Sequence, residues 1–198
     1  MRPVPASLRR KAKTPSEAKE RYRAFIQRTL ACLDGTVQLF VGPSPLGPET
    51  AVTLEPRKNP IRLTTQSGQV LYLTVTQQGE IIKDTRYRGE YRVTTRSYHY
   101  ALSTDQDCKE PLIVWDWHPG ISPDRPYPHI HVAVADPMGR GTRLHIPTGR
   151  RVTIEQIASF LIKDLDVVPA VADWQDIVTE HQLRYDIFQV QDQPPPSD

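Results

Sequence analysis

The residues best equipped for chemistry are four of the chain's six histidines, His118, His129, His131 and His145, which fall within 28 positions. Their spacing suits strands. In Pro128-His129-Ile130-His131-Val132-Ala133-Val134, the β-branched Ile130, Val132 and Val134 share one face. His129, His131 and Ala133 share the other, because successive strand side chains point to opposite sides. In Leu112–His118, the residues Ile113, Trp115 and Trp117 form one face, and Asp116 and His118 the other. In Thr142-Arg143-Leu144-His145-Ile146, Leu144 and Ile146 take the core side, and Arg143 and His145 the polar side. If the aliphatic faces turn inward together, Asp116, His118, His129, His131, Arg143 and His145 meet on one surface. His99, in Tyr98-His99-Tyr100, joins them from the strand before. One bulge would rotate a set away.

Two chemistries fit such a surface. Neutral imidazoles on adjacent strands are good ligands for Zn2+ or Fe2+, and His129, His131 and His145 would supply three nitrogens. Without any cofactor, His129 and His131 could act as a general acid and base, with His118 or His145 as a third member and Asp116 as an orienting group. Arg143 would then hold a phosphate and stabilise developing negative charge, which amounts to metal-free cleavage of RNA. Against both stands the plain alternative that an H-x-H pair is half-exposed strand surface. Elsewhere the signals are weaker. His181 lies on the apolar stripe of the last helix, as a satisfied core histidine would. Trp115 and Trp117 suit core packing better than base stacking. Arg150-Arg151, before a helix start, suit a solvated turn better than a phosphate site. The sequence contains no P-loop, no G-x-G-x-x-G and no G-x-S-x-G.

The elements that must position these residues follow from periodicity and turn chemistry. Thr14-Pro15-Ser16-Glu17 is a helix start, with a capping threonine, proline at the first helical position and a capping-box glutamate. Tyr22, Phe25, Ile26, Thr29, Leu30 and Leu33 recur at helical spacing, and Asp34-Gly35 should end the helix. Strands are then expected at Val37–Val41, Ala51–Leu54, Ile61–Thr65, Gln69–Thr76 and Glu80–Tyr87, with Ser67-Gly68 and Gln78-Gly79 as turns. Glu90–Leu102, Pro111–Trp117, Ile130–Ala135 and Thr142–Ile146 complete the set. Short links imply antiparallel neighbours, since parallel ones need long crossovers. Thr153 and Gln156 start a helix with an apolar stripe at Ile154, Ile157, Ala158, Leu161, Ile162 and Leu165. A last helix begins near Asp173.

Composition bounds the rest. A chain of 198 residues with 38% hydrophobic and 24% charged residues can form one folded core. A net charge of +2 is too small to name a nucleic-acid partner. Residues 1–13 read as a basic flexible arm, 14–190 as a single domain and 191–198 as a disordered Pro-rich tail. No apolar run approaches a membrane span, and the start lacks a signal peptide's apolar stretch. With two distant cysteines and no disulfide framework, a cytoplasmic protein without membrane contact is expected.

Tyr98–Tyr100, Val114-Trp115-Asp116, the Pro-rich loop and Pro128-His129-Ile130-His131-Val132 together resemble the core of the TumE-type toxin family. Leu144-His145-Ile146-Pro147-Thr148-Gly149-Arg150 is similar to a block in uncharacterised bacterial proteins. The resemblance covers roughly residues 91–165 and implies a small bacterial protein, one half of a toxin–antitoxin pair, with the H-x-H site as its centre. This chain adds an N-terminal helix and early strands to that pattern. Other histidine families fit less well. The histidine-triad pattern would need a third histidine where Ala133 stands. The two-histidine phosphoesterases need H-x-[ST], which His131-Val132-Ala133 and His145-Ile146-Pro147 lack. Cupins carry a glutamate after the pair, where the nearest acid here is Asp136.

The expected fold is α+β: a curved antiparallel sheet of about seven to nine strands, one helix before it and two after. The two last helices should cover the face holding Ile113, Trp115, Ile130, Val132 and Leu144, leaving the histidine face open. The first functional expectation is a TumE-like ribonuclease with RNA as substrate and a protein antitoxin as partner. The second is a cupin-like metal enzyme using His129, His131 and His145 with Zn2+ or Fe2+. The third is a non-catalytic protein that binds a partner through the basic arm and a sheet edge.

Overall fold

A computed structural model of the chain describes residues 12–43, 51–84, 90–119, 127–134 and 142–192. Helix α1 spans Pro15–Ala31. It starts as its sequence dictates, with the Thr14 hydroxyl accepting from the Glu17 N–H at 3.1 Å. The Glu17 carboxylate does not close back on the cap residue and accepts instead from the Lys13 N–H. The helix ends at Ala31, before Asp34, whose carboxylate accepts from the Thr36 N–H and hydroxyl and so builds the turn that follows. Residues 1–11 of the basic arm lie outside the described residues. Ala12 is buried and accepts from the Tyr91 N–H.

Eight strands follow: β1 (Leu39–Pro43), β2 (Ala51–Pro56), β3 (Ile61–Thr64), β4 (Val70–Asp84), β5 (Glu90–Ser103), β6 (Ile113–Trp117), β7 (His129–Val134) and β8 (Thr142–Pro147). They form one antiparallel sheet in the order β1-β2-β4-β5-β6-β7-β8. β3 shares the β2 edge of β4. Between them the Asn59 side chain bonds the backbone of Val75, which keeps that stretch of edge satisfied. Helices α2 (Ile154–Lys163) and α3 (Trp174–Asp192) close the chain, so the α+β class holds. The last helix takes in Gln191 and Asp192, and residues 193–198 of the expected tail lie outside the described residues.

Two strands expected on either side of Gln78-Gly79 are one. β4 runs straight through, and the irregularity sits in β5, where Gln78 pairs with Ser97 and Gly79 with Thr95, leaving Arg96 as the extra residue. Glycine at 79 answers to close approach rather than to a turn. A Cβ there would stand 2.6 Å from Val93 Cγ1 and 3.2 Å from the Thr94 carbonyl oxygen.

The core lies between the helices and one sheet face. Tyr98, Tyr100, Leu102, Trp115 and Trp117 join Leu30, Ile154, Ile157 and Leu161 in a single apolar cluster. Tyr98 stacks on Tyr100, and Trp115 meets the edge of Phe160 at 5.9 Å between ring centres. α2 begins with a complete capping box between Thr153 and Gln156. α3 packs on α1 and α2, where His181 is buried, stacked on Phe25 and bonded through Nδ1 to the Thr29 hydroxyl. Arg151 does not sit in solvent: its guanidinium lies 4.0 Å over the Trp117 ring and donates to the Thr95 carbonyl.

One expectation about this face fails. Leu144 and Ile146 of β8 remain 50% and 45% exposed, so the helices do not reach that edge. Between α2 and strands β6 and β7 lies a groove of about 450 Å3 with an apolar floor of Ile113, Trp115, Ile130 and Val132, bordered by Phe160 and by the polar Arg150 and Gln156. Among the described residues no helix is long and apolar enough to cross a membrane. Cys32 and Cys108 are free thiols.

Candidate metal centre

The face opposite the aromatic core is built by register. β5 sets His99 against Asp116 of β6, and Asp116 in turn stands against His129 of β7. One step along, Val114 faces His131, which faces His145 of β8. Arg143 stands against Ala133. The bulge at Arg96 lies upstream of all these pairs, so it leaves their parity intact. The expected convergence of His129, His131 and His145 is therefore present, and His99, Asp116 and His118 form a second group beside it.

In the first group the ring centres are 4.7 Å apart for His129 and His131, 4.1 Å for His131 and His145, and 5.8 Å for His129 and His145. One ligand nitrogen from each lies within 4.8 Å of the others. Three nitrogens on a tetrahedral ion with bonds of about 2.0–2.1 Å would be about 3.4 Å apart, so small rotations close the set. Burial is graded: His129 is buried, His131 half-buried and His145 exposed, which gives the group a closed side and an open side.

Two features prepare these rings as ligands. His129 Nδ1 lies 3.0 Å from the Tyr127 carbonyl oxygen. A carbonyl can only accept, so Nδ1 carries a proton and Nε2 is the nitrogen left for a metal; such a partner is the usual orienting contact of a metal-bound histidine. Burial, followed by the neighbouring His145 and His129, pushes the His131 imidazole down to about 4. Val114, directly opposite and 5% exposed, contributes apolar surroundings. His131 is thus neutral near pH 7, the form in which imidazole binds a metal.

The second group is tighter around its acid. His118 Nε2 is 2.9 Å and His99 Nδ1 3.5 Å from Asp116 Oδ1. Yet Oδ1 is buried and receives no aligned hydrogen bond, so these approaches are ion contacts rather than formed bonds. Burial works to raise the Asp116 carboxyl, but His99, acting as a donor to the carboxyl, and the charges of His118, His99 and His129 outweigh it and leave it below the usual carboxylate range. His118 and His129 stand at the two ends of the loop after β6, whose residues 120–126 lie outside the described residues.

Sequence patterning finds every side chain of the first group, and Arg143 beside it. It does not find the Tyr127 carbonyl, because a backbone acceptor carries no residue-type signal. It places His99 near the surface without pairing it to Asp116, since that pairing depends on the register of β5 against β6. No protein-family model, curated protein or solved structure matches the chain, so the TumE-type resemblance rests on the short motifs alone.

Proposed function

We propose that the protein is a metal-dependent hydrolase of an anionic substrate such as a phosphodiester, with Zn2+ or Fe2+ held by His129, His131 and His145. The observation that carries this reading is the meeting of three imidazole nitrogens within 4.8 Å from two adjacent strands. A bound ion of this class supplies Lewis acidity and a water acidic enough to ionise near neutral pH. The chain's own groups do the rest. His129 is oriented by the Tyr127 carbonyl. His145, on the exposed side, would hold an ion where substrate can reach it. Arg143, whose charge reaches His131, would hold the substrate anion. Tag-free protein, reconstituted with Zn2+ or Fe2+ and dialysed, should retain ion, and His131→Ala should lose it along with any phosphodiesterase activity. Ion content near zero in the unsubstituted protein rules the reading out.

A second reading keeps the TumE-like ribonuclease, with RNA as substrate and a protein antitoxin as partner, and needs no metal. It is favoured by the side-by-side rings of His129 and His131 with Arg143 one position away. The depressed His131 would serve there as base, and the acid would have to come from another ring. RNA cleavage that survives a chelator and disappears in His131→Ala selects this reading over the first.

A further inference from the structure

We propose that His99, Asp116 and His118 form a second divalent-metal site adjoining the first, so that the histidine face holds two ions with Asp116 between them. The pairing of ions rests on the His129–His131–His145 reading, but the second site has its own evidence. Its three ligand atoms lie within 4.8 Å of one another. They come from β5, from β6 and from the residue just after β6, and the two-residue step from Asp116 to His118 keeps both on one face.

Asp116 Oδ1 carries the inference. It is a buried carboxylate oxygen whose nearest neighbours, the His118 and His99 rings, do not meet it at hydrogen-bonding angles, and buried acceptors are rarely left so. Two imidazole nitrogens lie 2.9 and 3.5 Å from it, off the angles of a hydrogen bond. Rings that approach an oxygen without donating to it can share a cation with it. The donor set, two nitrogens and one carboxylate oxygen, suits Zn2+, Fe2+ or Mn2+. The side chains are 46%, 23% and 28% exposed for His99, Asp116 and His118, so an ion has a way in.

Position ties the two sites together. Asp116 is the direct cross-strand partner of His129, so the carboxylate of one set stands against a ring of the other. Paired ions bordered by a common carboxylate are a familiar clamp for the attacking and leaving oxygens of a phosphoester. A phosphodiester substrate, held by Arg143 at the far side of the first group, would therefore meet both ions.

The test uses the full chain, stripped with a chelator and titrated with Zn2+ alone, with bound ion counted by calorimetry and by elemental analysis after gel filtration. Two ions per chain are expected. His99→Ala/His118→Ala should bind one, and so should His131→Ala/His145→Ala. Asp116→Asn, which keeps the side chain's shape, should lose the second ion with an unchanged circular dichroism spectrum. A single ion that is indifferent to His99→Ala/His118→Ala and lost in His131→Ala/His145→Ala overturns the second site and leaves the first. A single ion with the reverse dependence sinks the first site and leaves the second. Zero ions ends both.

Discussion

The two faces of β5, β6 and β7 are made from alternate residues of the same strands, yet they are held by different forces. On one face Tyr98, Tyr100, Trp115 and Trp117 are buried against α1 and α2, and their positions are fixed by packing. On the other, His99, Asp116, His129 and His131 are brought together by the register of the strands. The aromatic face is a structure that satisfies itself. The histidine face brings like groups together, depresses His131 and buries an acidic oxygen between two imidazoles off hydrogen-bonding angles, the kind of perturbation that clusters at functional sites.

Substitutions should separate the faces. The largest effect on stability belongs to the packed side: Trp115→Ala should lower unfolding free energy by about 3–5 kcal/mol in a urea titration. A loss under about 1 kcal/mol would mean that the core does not depend on that ring. His131→Ala should leave the urea midpoint near that of the unsubstituted protein while weakening Zn2+ binding at least about 100-fold, or about 2.8 kcal/mol. If stability fell and metal affinity did not, the imidazole would belong to the core instead.

Acid should act through the histidine face. The folded His131 titrates at about 4 against an ordinary value near 6.5. Between those pH values the unfolded chain takes up a proton that the folded one refuses, so metal-free protein should lose stability as pH falls from 6.5 toward 4. Above that window the contribution is complete. Urea midpoints across it should fall less steeply in His131→Gln than in the unsubstituted chain, and equal slopes would contradict the assignment.

Smaller effects probe the margins. Thr153→Ala removes the capping box of α2 and should cost about 1 kcal/mol. Leu144→Ser, on the uncovered part of the apolar face, should change stability by no more than about 0.5 kcal/mol. A larger loss would show that something covers β8.

Much of this was readable from residue order, for reasons that differ by element. Strand alternation at His129-Ile130-His131 and at Leu144-His145-Ile146 fixes which side chains share a face, whatever the rest of the fold does. The caps at Thr14 and Thr153 are local chemistry, visible within a turn. What escaped depends on distant partners. Gln78-Gly79 has the composition of a turn, but β5 opposite it bulges and β4 runs on. Leu144 and Ile146 have the composition of core, but no helix extends over them. The grouping of His99 with Asp116 needs the β5–β6 register, which no local pattern encodes.

X-ray absorption at the zinc edge, on protein loaded with one equivalent of Zn2+, tests the proposed metal centre most directly. Scattering from imidazole rings with zinc–nitrogen distances of about 2.0–2.1 Å is expected, and it should diminish in His131→Ala. A shell of oxygen scatterers alone, or one that does not change in that variant, would contradict a site built from His129, His131 and His145.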